Sequence, residues 1–322
     1  MTFEEKFNDF IPELTKALTV PNSTDWTVKG FIDYYQNIYS ISTDTKVVSK
    51  VIELMIFPKF LEFAQRNNLQ LKLSPHQNYY PDITFIDNNG KKYAVDLKST
   101  YRATATKVNG MTLGAFTEYF RNRQSNKNTL YPYGEYHKHY VFGIIYSRAD
   151  ISKIEEYFLT LKIKSTVKLK KIIIEYINEN TTDNWNKIIN EISNNIQLTN
   201  ENKKIVDSYL INETKTYNLE NFTKIQSVIK DFEFFIQEKW KIALDRPGSG
   251  NTKNIGSEVE INKLKSGNGL FKREFGENGK NIFNNYWMNY ETKDMAKANG
   301  KDTPSFKNIE TYLEWIKSLT TN

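Results

Sequence analysis

The spacing of apolar side chains divides the chain into stretches of different kinds. Residues 2–40 read as helices, with a break at Pro21-Asn22-Ser23. A further helix is predicted to start near Ser42-Thr43-Asp44, whose side-chain oxygens suit the first free N–H groups. It runs through Val47, Val48, Val51, Ile52, Met55 and Ile56. Pro58 is expected to interrupt or kink it, because proline lacks an N–H and crowds the preceding turn. Leu61 to Arg66 resume the helical period, and 74–81 read as loop. From Asp82 to Asp87, and again from Lys91 to Lys98, apolar and polar positions alternate. Between them Asn88-Asn89-Gly90 marks a β-hairpin, with Gly90 in the left-handed position of a three-residue loop. Further along, the pattern predicts a helix over 113–123, an apolar strand over 140–147 and a strand near 232–243. It also predicts a loop centred on Gly248-Ser249-Gly250, a short glycine-rich stretch at 266–276, and aromatic helices around Tyr286-Trp287 and Tyr312 to Ile316. Residues 150–215 contain no Gly or Pro and keep helical spacing (Ile154, Tyr157, Phe158, Leu161; Ile172, Ile173, Tyr176, Ile177). They read as a helical insertion between an N-terminal part, 1–149, and a C-terminal part, 216–322.

The hairpin's register follows from its loop. With three loop residues at 88–90, Asp87 faces Lys91, so Ile83 faces Val95 and Phe85 faces Tyr93 on one apolar face. On the other face Asp82 lies opposite Asp96, and Lys98 follows two residues on, on the same side. Two carboxylates and an amine thus converge at the open end. Directly opposed like charges destabilise a hairpin, so the arrangement makes sense with a divalent cation between them. The other reading of the same residues is an edge hairpin whose polar face meets solvent. Hard oxygen donors point to magnesium rather than zinc. Lys98 then suits orienting or deprotonating a water, or neutralising charge on a phosphate.

Composition narrows the classes. The 322 residues carry 44 Lys+Arg against 38 Asp+Glu, a net charge of +6. That surplus fits a polyanionic partner, and equally a solvated surface; the lysines at 168–171 read as such a face. The absence of Cys excludes a disulfide framework, thiolate zinc sites and cysteine nucleophiles. No run approaches the roughly 18 apolar residues of a membrane span. The start, Met1 to Phe7, is acidic and amphipathic, unlike a secretory signal. A soluble, cytoplasmic protein is expected. His76, His137 and His139 are expected to make loop or backbone contacts rather than bind metal.

Pro81-Asp82, a hairpin, then Asp96-Leu97-Lys98 resemble the pattern of the PD-(D/E)XK nucleases. The likeness extends in order through Asp44-Thr45-Lys46-Val47, Glu53-Leu54, Asn78-Tyr79-Tyr80, Ser99-Thr100-Tyr101 and Thr112-Leu113-Gly114. It continues through Tyr131-Pro132, Lys239-Trp240, Gly248 to Thr252 and Asn254 to Ser257, with a weaker match at Tyr286-Trp287 and Asn289-Tyr290-Glu291. Over roughly 25–148 and 216–317 the chain resembles the EcoRV-type type II restriction endonucleases.

The resemblance implies an α/β fold, a PD-(D/E)XK restriction-endonuclease-like core with a mixed β-sheet flanked by helices, here carrying the helical insertion. It implies Asp82, Asp96 and Glu53 as ligands of Mg2+ and Lys98 as the catalytic lysine. Glu53 lies inside the apolar run Val51 to Phe57, costly for a carboxylate unless a cation compensates it or it snorkels to the surface. Gly248, Ser249, Gly250, Asn251 and Thr252 would form the major-groove recognition loop, flanked by Lys253. Gln77 and Asn78 would face the minor groove, and Thr45, Ser99, Thr100 and Tyr101 the phosphate backbone. By itself a Gly-Ser-Gly loop reads as a turn. The family further implies a homodimer on double-stranded DNA, a companion DNA methyltransferase, and blunt cleavage with 5′-phosphate ends at GATATC. Glu118, Lys253, Thr292 and Lys297 depart from the family pattern. Two other readings stand beside it: a shape-specific repair or junction nuclease of the same fold, and a non-catalytic DNA-binding protein.

Overall fold

A computed structural model describes residues 1–35, 38–41, 44–76, 78–149, 227–248 and 251–320, with the backbone alone at 38–40, 251 and 252. All of the 150–215 stretch read as an insertion, with Gln77, Ser249 and Gly250, lies outside the described residues. The fold divides into two units, one of residues 1–18, 49–146 and 231–322, the other of 19–48 and 147–230.

In the first unit, helix α1 (Phe3–Leu18) opens on a reciprocal cap. The Glu5 N–H donates to the Thr2 hydroxyl at 3.2 Å, and the Thr2 N–H donates to the Glu5 carboxylate at 2.7 Å. Phe3, Phe7, Phe10, Leu14 and Leu18 recur at three- and four-residue spacing, and all are buried. Their rings meet Phe60 and Phe63 of helix α2 (Thr45–Arg66), Phe85 and Tyr93. Burying each such side chain contributes about 1.5–3 kcal/mol. α2 runs unbroken through Pro58, against expectation. The carbonyl that Pro58 leaves without a helical donor belongs to Leu54, a residue 64% exposed, so water can serve it.

The central sheet has the order β3-β4-β5-β7-β8. Its strands are β3 (Gln70–Leu73), β4 (Ile83–Ile86), β5 (Lys92–Tyr101), β7 (Tyr136–Arg148) and β8 (Ile229–Glu238). β3, β4 and β5 are antiparallel, and β5 runs parallel to β7, making the sheet mixed. A second sheet, β6-β10-β9, joins β6 (Thr112–Ala115), β10 (Asn251–Ser257) and β9 (Ala243–Gly248). One core connects Ala94, Val141, Ile145 and Phe235 with Leu113, Trp240, Ile255, Phe271, Tyr286 and Trp287. It includes helices α5 (Leu270–Phe275), α6 (Gly279–Asn289) and α8 (Ile309–Thr320). Between these lie the short α3 (Lys239–Ile242), α4 (Ile261–Ser266) and α7 (Lys293–Ala298).

Two further expectations change in this unit. The stretch 113–123 is not a helix; it is the end of β6 followed by turns. Gly114 sits at φ +87°, which a helix cannot contain. The strand expected near 232–243 spans 229–238 and then gives way to the single turn α3. The stretch 266–276 is the junction of α4 and α5, where Gly267 at φ +65° caps the first helix. The apolar strand expected over 140–147 lies within β7.

The second unit corrects the reading of 19–40 as helical. Asn22 adopts φ +60°, the Val20 N–H donates to the Asp25 carbonyl at 2.9 Å, and β1 (Gly30–Ile32) pairs antiparallel with β2 (Ile38–Ser40). Trp26 is fully buried, its N–H donating to the Ile229 carbonyl. The cap expected near residue 44 is present, with Asp44 accepting from the N–H groups of Lys46 and Val47 at 2.8 and 3.2 Å.

Candidate active site

The loop arithmetic holds in three dimensions. The Asp87 N–H donates to the Lys91 carbonyl at 3.1 Å, Gly90 sits at φ +76°, and the register pairs Ile83 with Val95 and Phe85 with Tyr93. The face carrying the carboxylates is not a solvated edge. Thr84 and Ala94 are fully buried, the Thr84 and Tyr136 hydroxyls share a hydrogen bond of 3.1 Å, and Asp96 is only 6% exposed.

Asp82 follows a cis Tyr80–Pro81 peptide, and its Oδ2 accepts the Leu97 N–H at 2.6 Å. Lys98 Nζ lies 2.7 Å from Asp96 Oδ2 and donates to the Leu97 carbonyl at 3.1 Å. The two carboxylates respond differently. Burial, then the charge of Asp96, pushes Asp82 up to about 7 against the pull of Lys98 and the Leu97 N–H. Burial also pushes Asp96 upward, but the charges of Lys98 and Lys239 outweigh it and hold Asp96 below the usual carboxylate range. Burial lowers the Lys98 ammonium, yet Asp96, Asp82 and Glu53 raise it above its ordinary value. Lys98 is therefore charged at neutral pH.

A pocket of about 270 Å³ opens here, walled by Asp82, Lys98 and Ser99 and, from α2, Ser49 and Glu53. Ser49 Oγ and Ser99 Oγ are 2.5 Å apart, which ties the helix to β5. Glu53 reaches the pocket wall but is half-exposed and paired with Lys50 at 2.9 Å. Among the described residues, no group of three acidic, His or Cys side chains is gathered closely enough to hold a metal as it stands. The donor chemistry fits Mg2+ nonetheless. Two hard oxygen donors lie close enough that, after burial, the charge of Asp96 helps raise Asp82 to about 7, a repulsion a dication would offset, and Mg2+ takes few protein ligands and keeps its waters.

The other expected site residues divide. Ser99 is half-buried, and Tyr101 is likewise half-buried on β5. Thr100 is 5% exposed, and its hydroxyl donates to the Asn109 carbonyl at 2.6 Å. Asn78 is exposed, and Thr45 is exposed at the start of α2. β9 ends at Gly248 and β10 begins at its partner, Asn251. A Cβ on Gly248 would meet the Thr112 methyl at 2.6 Å, so any side chain here would force Thr112 to shift. Lys253 is exposed, and its carbonyl accepts the Phe116 N–H at 3.1 Å. Beyond Gly248, the side chains of the recognition stretch through Thr252 are outside the described set.

Lys239 was visible in the sequence only as part of a matching dipeptide. It is 2% exposed and lies over the rings of Tyr80, Tyr133 and Tyr119, with its Nζ 4.3, 5.5 and 5.9 Å from their centroids. Burial lowers its ammonium to about 8 against the supporting charge of Asp96. Its sequence neighbours, Glu238 and Trp240, gave no signal of a buried charge. His139 is half-buried, with Nδ1 2.9 Å from the Tyr80 hydroxyl and its ring stacked on Tyr133 at 3.7 Å.

Comparison with known proteins agrees with this geometry. A model of the family described as "Restriction endonuclease EcoRV" matches residues 22–191 and 201–317, and so runs into the stretch read as an insertion. The chain is 28% identical over 307 residues to the type II restriction enzyme EcoRV of Escherichia coli, covering 94% of this chain and 96% of that enzyme.

Proposed function

The chain belongs to the EcoRV family of type II restriction endonucleases, site-specific deoxyribonucleases, and from that premise we propose Mg2+-dependent cleavage of double-stranded DNA at the centre of GATATC. Water attacks phosphorus in line, the 3′-oxygen leaves, and the products are blunt ends bearing 5′-phosphates. The observation that carries the reading is the opposed pair Asp82 and Asp96 with Lys98 charged 2.7 Å from Asp96. A protein that only binds DNA has no use for paired carboxylates facing phosphate.

Bound between Asp82 and Asp96, Mg2+ would supply Lewis-acid stabilisation of charge on the phosphate. Lys98 donates a hydrogen bond to a phosphoryl oxygen as its charge builds. Asp82, fixed through the Leu97 N–H, keeps one oxygen in a set orientation. Glu53 is the further acidic residue on the pocket wall. A homodimer would bring two such sites to the two strands of a palindrome, and a companion methyltransferase would protect host sites.

Asn251 reads adenine, Thr252 meets a thymine methyl, and the backbone around Gly248, Ser249 and Gly250 reads the outer bases. Gln77 and Asn78 approach the minor groove. Thr45, Ser99, Tyr101 and Lys253 approach phosphates, and Thr100 supports that strand from within. The central TA step is deformable and needs no direct contact. Sequencing the ends of a plasmid digest made with Mg2+ tests the reading. Blunt ends at GATATC are expected. Ends at another palindrome would refute the target, and ends without sequence preference would favour a shape-specific nuclease.

A further inference from the structure

Lys239 is a buried cation set against aromatic rings. Among the described residues, no carboxylate oxygen comes within 4 Å of its ammonium. Its surroundings are instead the three tyrosine rings, and these are fixed independently of it. Tyr80 stacks on Tyr119 at 4.7 Å, Tyr119 on Tyr133 at 5.7 Å, and Tyr133 on His139 at 3.7 Å. Gly114 closes the side of the cage at φ +87°, where a Cβ would clash with the Tyr119 hydroxyl and stand 3.7 Å from Lys239 Nζ. An ammonium held against ring faces keeps its charge without a carboxylate partner.

That charge acts on the active site from the protein side. Lys98 lies 2.7 Å from Asp96, and Lys239 is the next cation whose charge bears on that carboxylate. Tyr80, the nearest ring, is joined through Pro81 to Asp82. With Glu53 paired to Lys50, the carboxylates Asp82 and Asp96 are opposed by Lys98 and Lys239, so removing Lys239 leaves one cation for two acids.

We propose that Lys239 is a positioning residue, a caged cation behind Asp96 that offsets the carboxylate pair from within, so that a divalent cation is held weakly until the scissile phosphate adds its own negative charge. This rests on the Mg2+ reading above. Lys239 touches neither metal nor phosphate; it acts through Asp96. Removing it makes the empty site more attractive to a dication and less attractive to phosphate, an effect opposite in sign for the two ligands. Structural damage would weaken both.

The test uses the full-length protein with Lys239→Met, whose flexible thioether suits an aromatic cage, and Lys239→Arg, which keeps the charge. Calorimetric titration with MnCl2 without DNA should show Lys239→Met binding at least about tenfold tighter than wild type, given one buried charge removed at short range. Affinity for a GATATC duplex in EDTA should fall, and Lys239→Arg should move both back towards wild type. Unchanged or weaker Mn2+ binding by a folded Lys239→Met protein overturns the proposal. If the Met variant does not melt cooperatively, Lys239→Gln replaces it, and failure of both to fold makes Lys239 structural and also overturns the proposal. A wild-type protein that takes up no Mn2+ even with the duplex present overturns the metal reading itself, and the role of Lys239 with it.

Discussion

The Asp82 carboxylate is fastened to the neighbouring strand by the Leu97 N–H, 2.6 Å from its Oδ2. An asparagine there retains an oxygen acceptor for that N–H but loses the charge that Asp96 opposes. Asp82→Asn is therefore expected to fold, to abolish cleavage, and to melt higher than wild type in EDTA. Each pKa unit of upward displacement is worth about 1.4 kcal/mol against the ionised form, and Asp82 is raised from 3.8 to about 7. Plasmid cleavage and a thermal melt at pH 8 check both halves. Wild-type cleavage by the variant would remove Asp82 from the reaction.

Asp96→Ala removes the other carboxylate and should likewise abolish cleavage, while DNA affinity in EDTA is retained or tightened because negative charge near phosphate is lost. Filter binding beside a plasmid assay separates the two effects. A parallel loss of both would assign Asp96 to the fold instead.

Lys98→Ala should slow single-turnover cleavage by orders of magnitude, on the order of 3 kcal/mol or more of transition-state stabilisation. Ground-state affinity for the duplex should change far less. If affinity and rate fell together, Lys98 would be a binding group.

His139 makes stability depend on pH. Burial, with the charges of Lys239, Arg123 and Lys280, holds its folded value well below the unfolded 6.5. Below about pH 6.5 the unfolded chain takes up a proton that the folded chain refuses, so stability falls as pH falls, by up to about 1.4 kcal/mol per unit. Above that value both states are neutral and the contribution is flat. Asp82 acts in the opposite sense between 3.8 and about 7, so wild type must be compared with His139→Phe, in which Asp82 is unchanged. On going from pH 7.5 to pH 5 the urea midpoint of the variant should shift upward relative to the shift seen in wild type, because only the His139 loss is removed. Equal shifts would show that His139 is protonated when folded.

At the recognition strand, Asn251→Ala is expected to cost about 1–3 kcal/mol of discrimination at one adenine. Competition between GATATC and single-substitution duplexes measures it. Undiminished discrimination would exclude Asn251 from base reading.

The hairpin and its carboxylates were legible because strand geometry has a period of two and the loop left one register open. Gly90 and the pairs Ile83/Val95 and Phe85/Tyr93 follow from counting alone. The stretch 113–123 misled because Phe116, Tyr119 and Phe120 have helical spacing. Their rings in fact meet Trp287, Tyr80 and Phe283, partners distant in the chain. Lys239 was illegible for the same reason. Its cage draws on residues 80, 119 and 133, and nothing local in Glu238-Lys239-Trp240 announces a buried charge. Pro58 was over-read, since a helix tolerates proline where the orphaned carbonyl faces water.

The register of β4 and β5 also bears on how such enzymes diverge. What keeps Asp82 facing Asp96 is parity, not distance along the chain. With a three-residue loop, residues added or removed in matched pairs, one on each arm, leave the carboxylates opposed and only move the tip away from them. A single unmatched residue turns one arm over and sends its acid to the far face. Hairpin length can therefore drift by twos while chemistry is conserved, and a motif search that fixes the separation of the two aspartates at 14 will pass over relatives that a search on all even separations would find.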